Sequence, residues 1–344
     1  MPLYDRLADL SLVVEEQERT TQERATSSGF DRVTTTIALS GAGETGKGED
    51  VTYDTEDHER LVGFDVDLAG EYTLAEFSER LDDVALFPEP PEREVSHHYR
   101  RWGFESAGLD LALRQADTDL ASVLDRDPEP MRFVVSTRLG DDPSTDRLDA
   151  ILDAYPDTEF KLDPTGEWDD VLVDALADYP VRILDLKGQY HGTTVDQEPD
   201  AALYERVVEG FPDAVVEDPA LTDETRSIVD AAADRISWDA PITGVDSIRD
   251  LPFEPSWLNV KPSRFGTVES LFDSVEYALD RDVTLYGGGQ FELDVGRGQN
   301  QLLAAQFYAD GPNDLAPSDY NDPDVPTGLP TSPLVPGDSR GFRW

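Results

Sequence analysis

The chain has 344 residues, and its 28 basic against 74 acidic side chains leave a formal charge of −46, which excludes a surface built to hold a phosphate backbone. Hydrophobic residues still make up 38% of it, with 5 Trp, 14 Phe and 12 Tyr, so the core formers that disordered acidic chains lack are present. It has no cysteine, which removes disulfides, thiolate nucleophiles and Cys-ligated metals.

The length predicts one large α/β domain and a smaller one. No run of about 18 apolar residues occurs, and MPLYDRLADLSLVVEEQ has no basic region ahead of an apolar stretch. Neither a membrane span nor a signal peptide is therefore expected, and a cytoplasmic location is. The acidity is spread along the chain and paired with a preference for Arg over Lys, the pattern expected in an extreme halophile, where molar salt screens self-repulsion beyond about 3 Å.

Taken in order, SGAGETGKGED superficially resembles a phosphate loop. No helix opening on Lys-Ser/Thr follows, and a hairpin turn accounts for its glycines. EVSHHYRRWGF sets His97 beside His98, but adjacent residues on a helix or strand point apart, so no metal pair is expected. From Met131 onward, short apolar runs bounded by Pro or Gly alternate with stretches of helical period such as WDDVLVDALADY and SLFDSVEYALDR. The runs are MRFVVSTRLG, TEFKLD, VRILDLKG, DAVVEDP, RISWDAP, SWLNVKP and VTLYGGG, with a weaker strand expected near 313–317. This alternation predicts βα units and a parallel barrel or doubly wound sheet, whose chemistry lies at the carboxyl ends of the strands. The stretch after Asp310 is rich in Pro, Asp and Asn and reads as a surface tail.

Only four lysines occur, Lys47, Lys161, Lys187 and Lys261, so the other 24 of the 28 basic residues are Arg. Arg cannot act as a base, whereas a buried Lys can be tuned to transfer a proton. Three of the four fall in the predicted strands. The charged residues at the strand ends are Lys161, Asp185, Glu217, Asp239 and Lys261, at steps of 24, 32, 22 and 22 residues, one per βα repeat. A closed barrel would aim Asp185, Glu217 and Asp239 at one point, flanked by Lys161 and Lys261. Three carboxylates suit Mg²⁺, and amines across a metal suit removal of a proton α to a carboxylate. For any single Asp, a helix N-cap or solvated strand end is the plainer reading.

These motifs resemble the enolase superfamily, more closely its muconate-lactonizing, o-succinylbenzoate-synthase and dipeptide-epimerase branch. The resemblance runs through FKLD, ILDLKG, VVEDP, SWDAP and NVKPSRFG, and through YGGGQFELDVGRGQNQLLAAQFYAD, which is similar to the family's seventh-strand loop and following helix. TSSGFDRVTTTIALSGAGETGKGEDVTYD resembles the family's capping hairpin, with a loop near residues 28–30 lying over the substrate, and GDSRGFRW resembles its tail. The fold implied is α/β: a (β/α)7β TIM-like barrel of residues 128–324 under an α+β N-terminal capping domain of residues 1–127, completed by residues 325–344.

The resemblance implies Mg²⁺ on Asp185, Glu217 and Asp239, with Lys161 and Lys261 facing each other across the substrate's α-carbon. The family's Lys-x-Lys is incomplete, since Lys161 has only Glu159 and Asp163 two residues away. Lys187 stands where the family's Asp-x-Asn has Asn, and would bind the substrate carboxylate, replace the missing amine, or partner a surplus carboxylate. Phe30, Asp163, Asn259, Gln290 and Glu292 are the expected substrate contacts, with Arg32, Trp238 and Arg138 as further candidates. None of the four histidines (His58, His97, His98, His191) lies on or beyond the fourth predicted strand, which disfavours mandelate-racemase-like chemistry. The implied function is Mg²⁺-dependent abstraction of the proton α to a carboxylate through an enolate, by a lyase or cycloisomerase similar to o-succinylbenzoate synthase or muconate cycloisomerase. The alternatives are an N-acylamino-acid or dipeptide racemase or epimerase, and a non-catalytic enolase-like binding protein. The partner expected is a small carboxylate, with no nucleic acid or membrane, and a homo-oligomer is compatible with the fold.

Overall fold

The computed structural model describes residues 1–27, 29–140, 142–190, 195–337 and 340–344. Ser28, in the loop expected over the substrate, His191, and Asp338 and Ser339 of the tail lie outside the described residues.

The N-terminal part pairs β1 (Ser11–Val14) with β5 (Gly70–Thr73), and orders β2 (Glu16–Ala25), β3 (Asp31–Gly41) and β4 (Glu44–Asp50) in an antiparallel sheet. β2 alternates between half-buried and exposed residues, as a strand with one wet face must. β3 is covered on both sides and contributes Ile37 and Leu39 to a core shared with Phe77, Phe104 and Leu111. Ala42 and Gly43 join β3 to β4 at φ +50° and +82°, the two consecutive positive φ values of a type I′ hairpin. The turn therefore accounts for Gly43 but not for Gly46 and Gly48. Those two lie within β4 against the helix Ser96–Gln115, where a Cβ would stand 2.2 Å from Leu111 N and 2.1 Å from Gly103 O respectively. Because both obstacles are backbone, Gly48→Ala is expected to lower stability by about 1–3 kcal/mol, measured by urea unfolding.

Beneath this sheet a guanidinium is fully buried. Arg100 Nε lies 2.8 Å from Asp50 Oδ2, its Nη2 donates to Asp57 O at 2.8 Å, and its plane covers the Phe87 ring at 3.5 Å.

The remainder is a seven-stranded parallel sheet in chain order: β6 (Val134–Thr137), β7 (Glu159–Leu162), β8 (Val181–Asp185), β9 (Val215–Glu217), β10 (Ile236–Trp238), β11 (Trp257–Val260) and β12 (Thr284–Gly287). Each successive pair is bridged by helix, from Asp146–Ala154 to Val268–Leu279, so the α/β TIM-like fold is present. All seven expected strands occur, shortened to their buried centres. The weak strand near 313–317 is reduced to two parallel bridges, Phe133 with Asn313 and Gly288 with Asp314. The Asn313 side chain accepts from Gly287 N at 2.6 Å and donates to Arg132 O at 2.8 Å. This segment thus joins both edge strands and fills the eighth place in the ring.

The first half and the barrel are tied together by buried polar contacts. Glu49, at the end of β4, accepts from the backbone N–H groups of Leu293 (2.7 Å), Asp294 (3.1 Å) and Gly296 (2.8 Å), capping the helix Val295–Phe307. Gln299 of that helix donates to Lys47 O at 2.7 Å. The tail returns as well: Leu334 pairs with Met131, and Phe342 is buried against Trp102 with its N–H on Asp110 Oδ1 at 2.9 Å. Among the described residues no helix is long and apolar enough to cross a membrane.

Candidate active site

Parallel register sets the site. Asp185 and Glu217 are cross-strand partners at the ends of β8 and β9. Ser237 of β10 pairs with Glu217, so Asp239 follows two residues further on, on the same face. Lys261 directly follows β11, and Lys161 lies in β7. β7 and β11 are four places apart in a ring of eight, so Lys161 and Lys261 approach the centre from opposite sides. Asp185, Glu217 and Asp239 are all 0% exposed.

Buried carboxylates need donors, and each of these has them. Asp185 takes the backbone N–H of Lys187 on Oδ1 at 3.1 Å, and on Oδ2 the Lys187 ammonium together with the Lys161 ammonium at 3.2 Å. Glu217 takes the Lys161 ammonium on Oε1 at 2.5 Å, and on Oε2 the Asn259 amide at 3.1 Å and the Tyr286 hydroxyl. Asp239 Oδ2 accepts from Lys261 at 2.8 Å and from the Tyr190 hydroxyl at 2.6 Å, while its Oδ1 faces Arg264 Nε at 3.3 Å.

The titration directions follow. Burial alone would depress the Lys161 ammonium, but Glu217 and Asp185 hold it well above its ordinary value. Lys187 is raised in the same way, by Asp163 and Asp185 against burial. Burial opposes ionisation of Asp185 and Asp239, yet Lys187 and Lys161 hold the first well below the usual carboxylate range, and Arg264 and Lys261 do so for the second. Burial pushes Glu217 upward, against the opposing pull of the Lys161 ammonium. Lys161 and Lys187 are therefore fixed cations at neutral pH.

Above this layer lies a cavity of about 760 Å³ between the N-terminal part and the barrel mouth. Three of the chain's four lysines reach it, with Arg93, Arg138, Arg264 and Arg297, against only Asp31, Asp163 and Asp314 of the acids. Each of the seven cations is paired with a carboxylate of the lining or just behind it: Arg93 with Asp54, Arg297 with Glu292, Arg138 with Asp163, and the rest with Asp185, Glu217 and Asp239, so the wall is an array of ion pairs. Phe30, Phe291, Tyr53 and Tyr99 supply an aromatic side.

Of the expected substrate contacts, Phe30, Asp163 and Gln290 line the cavity. Asp163 Oδ2 is held by Arg138 at 3.0 Å. Asn259 and Glu292 lie beneath it, Asn259 on Glu217, and Glu292 accepting from Gln290 N at 2.7 Å and Asn300 at 2.9 Å. Arg32 is spent on the backbone oxygens of Val51, Thr52 and Gln290, and Trp238 packs against Phe253. His97 and His98 diverge as expected, to the Phe87 ring and to Arg264 O. Sequence reasoning overlooked Tyr190, Tyr286 and Arg264. Tyr286 falls within VTLYGGG and Arg264 within NVKPSRFG, runs that drew notice for other residues.

The three carboxylates do not fit the Mg²⁺ that the resemblance implies. Five of their six oxygens already accept hydrogen bonds and the sixth faces a guanidinium, whereas Mg²⁺ requires open oxygens at about 2.0–2.1 Å. Among the described residues no group of three His, Asp or Glu side chains has the spacing to hold a metal ion.

Solved structures share this architecture. A dipeptide epimerase from Enterococcus faecalis V583 matches at TM-score 0.73 and 14% identity, covering 96% of this chain and 99% of its own. A muconate cycloisomerase from Pseudomonas fluorescens matches at 0.65 and 18%, covering 89% and 87%. A dipeptide epimerase from Methylococcus capsulatus complexed with Mg ion matches at 0.63 and 17%, covering 92% and 89%. These likenesses establish the fold, which is that of the enolase superfamily. No curated protein matches the sequence. Two family models do, described as the N-terminal and C-terminal domains of a domain of unknown function, DUF8230, over residues 5–123 and 127–322.

Proposed function

We propose, for a chain that belongs to the DUF8230 family and carries the enolase-superfamily fold, that the barrel mouth binds a small carboxylate and removes the proton α to it, through an enolate. The observation that carries this reading is the gathering of three of the chain's four lysines around one cavity at the carboxyl ends of the barrel strands. A substrate carboxylate would find hydrogen-bond donors in these ammonium and guanidinium groups, which line the cavity wall.

The roles follow from the pairings. Lys161 and Lys187 stay charged, so they serve to offset the negative charge that develops on the substrate carboxylate as the α-proton leaves. Proton transfer falls to groups that reach the cavity from opposite walls: Lys261 after β11, and Asp163, one residue past β7. The base takes the α-proton, and the C–H electron pair moves into the carboxylate as an enediolate. A lyase or cycloisomerase then expels a β-substituent or closes a ring, whereas an epimerase returns a proton on the other face. Two opposed proton-transfer groups favour the epimerase as the second reading, with an N-acylamino acid or dipeptide as substrate. The Tyr53, Tyr99, Phe30 and Phe291 side would take the substrate's apolar portion.

The test is ¹H NMR in D₂O on a panel of N-acylamino acids, dipeptides and unsaturated dicarboxylates. Loss of the α-proton signal with retained substrate is the expected result, and deuterium in both stereoisomers marks an epimerase. Saturable binding without exchange across the panel would instead identify a metabolite-binding protein.

A further inference from the structure

We propose that the Lys187 ammonium takes the place of a divalent cation among Asp185, Glu217 and Asp239, so that this site works with ammonium groups alone and excludes Mg²⁺. The backbone is bent to this end. Lys187 has φ +55°, a left-handed conformation that non-glycine residues adopt at a cost of about 1–2 kcal/mol. It places both the N–H and the ammonium of one residue on the two oxygens of Asp185. The same ammonium stands 3.5 Å from Asp163 Oδ1 and 5.2 Å from the centre of the Tyr190 ring, which hold it from the cavity side.

Charge balance points the same way. Lys161, Lys187, Lys261, Arg264 and Arg138 contact Asp185, Glu217, Asp239, Asp163 and Asp314, five cations to five carboxylates. A further double positive charge in this buried layer would leave cations in excess of carboxylates, and would have to displace the Lys187 ammonium from Asp185 onto Asp163, which Arg138 already holds. Replacing Lys187 by a neutral side chain leaves Asp185 with one ammonium, that of Lys161, and opens the space its own amine fills.

The inference concerns the site of the proposed α-proton chemistry, but its test reads metal binding rather than turnover, so each can fail alone. Mn²⁺ binding, followed by electron paramagnetic resonance with Mg²⁺ as competitor, would be measured on the full chain and on Lys187→Asn, Lys187→Met and Lys187→Asn/Asp239→Asn, with near-ultraviolet circular dichroism as a check of folding. The wild type is expected to show no saturable Mn²⁺ site, while the Lys187 variants gain one at least tenfold tighter, which disappears when Asp239→Asn is added. A wild-type site that Mg²⁺ competes for would overturn the inference without recourse to any variant. So would folded Lys187 variants that bind no better than the wild type, since exclusion would not then be the work of Lys187.

Discussion

Lys261→Met is expected to slow α-proton exchange by about 10²–10⁴-fold, the usual contribution of a positioned acid or base, while changing substrate affinity far less. The substitution keeps the side-chain stem, and Asp239 keeps Arg264 and Tyr190, so the carboxylate is not left unpaired and the fold should persist. Lys261→Arg separates the two things the amine could do. A guanidinium preserves the positive charge but cannot be deprotonated near neutrality, so it should restore ligand binding and leave exchange slow. Exchange rates from NMR and affinities from calorimetry on the three proteins decide the matter. Recovery of exchange in Lys261→Arg would show that the residue acts only as a cation.

Arg100→Met should cost about 3–5 kcal/mol of stability, because it strands the fully buried Asp50 carboxylate. The pH dependence identifies the cause. Burial pushes Asp50 upward, but Arg100, His58 and Thr52 hold it below its ordinary value of 3.8. A carboxyl lowered in the folded state contributes stability that is present above the unfolded value and lost as pH falls through the folded one. The difference between wild type and Arg100→Met should therefore be largest near neutrality and shrink below about pH 4. Urea unfolding at several pH values measures it; a pH-independent difference would mean that lost packing on Phe87, not charge, accounts for the effect.

How far the sequence could be read depended on whether a residue's partner lay on its own strand or on another. Lys161, Asp185, Glu217, Asp239 and Lys261 were legible because a charged residue closing an apolar run has few places to go except the end of a buried strand. Their pairing was not legible, since cross-strand register depends on the whole ring. Asn259 and Glu292 were expected in the cavity, yet they support the groups above them, because alternation gives a side chain's face but not its depth. Lys187 carried no local mark of its positive φ, which distinguishes an amine folded back on Asp185 from one extended toward a ligand. Tyr190 and Tyr286 are equally invisible, as an aromatic in an apolar run looks like core until its hydroxyl is located. Gly46 and Gly48 show the same limit in the first half: a Gly-rich hairpin advertises its turn, while the helix that lies against it is some sixty residues downstream.

The contact between Glu49 and the helix Val295–Phe307 has a consequence for biosynthesis. Glu49 and Gly296 are 247 positions apart, and at about 5–20 residues per second on the ribosome that interval is roughly 12–50 s. Throughout it the carboxylate has no helix to cap, and the barrel lacks the segment that carries Asn313. The hairpin must wait, charged and hydrated, until nearly the whole polypeptide has been made. A nascent chain stalled before residue 293 should therefore leave that hairpin open to proteases, even where the strands already synthesised have begun to pair.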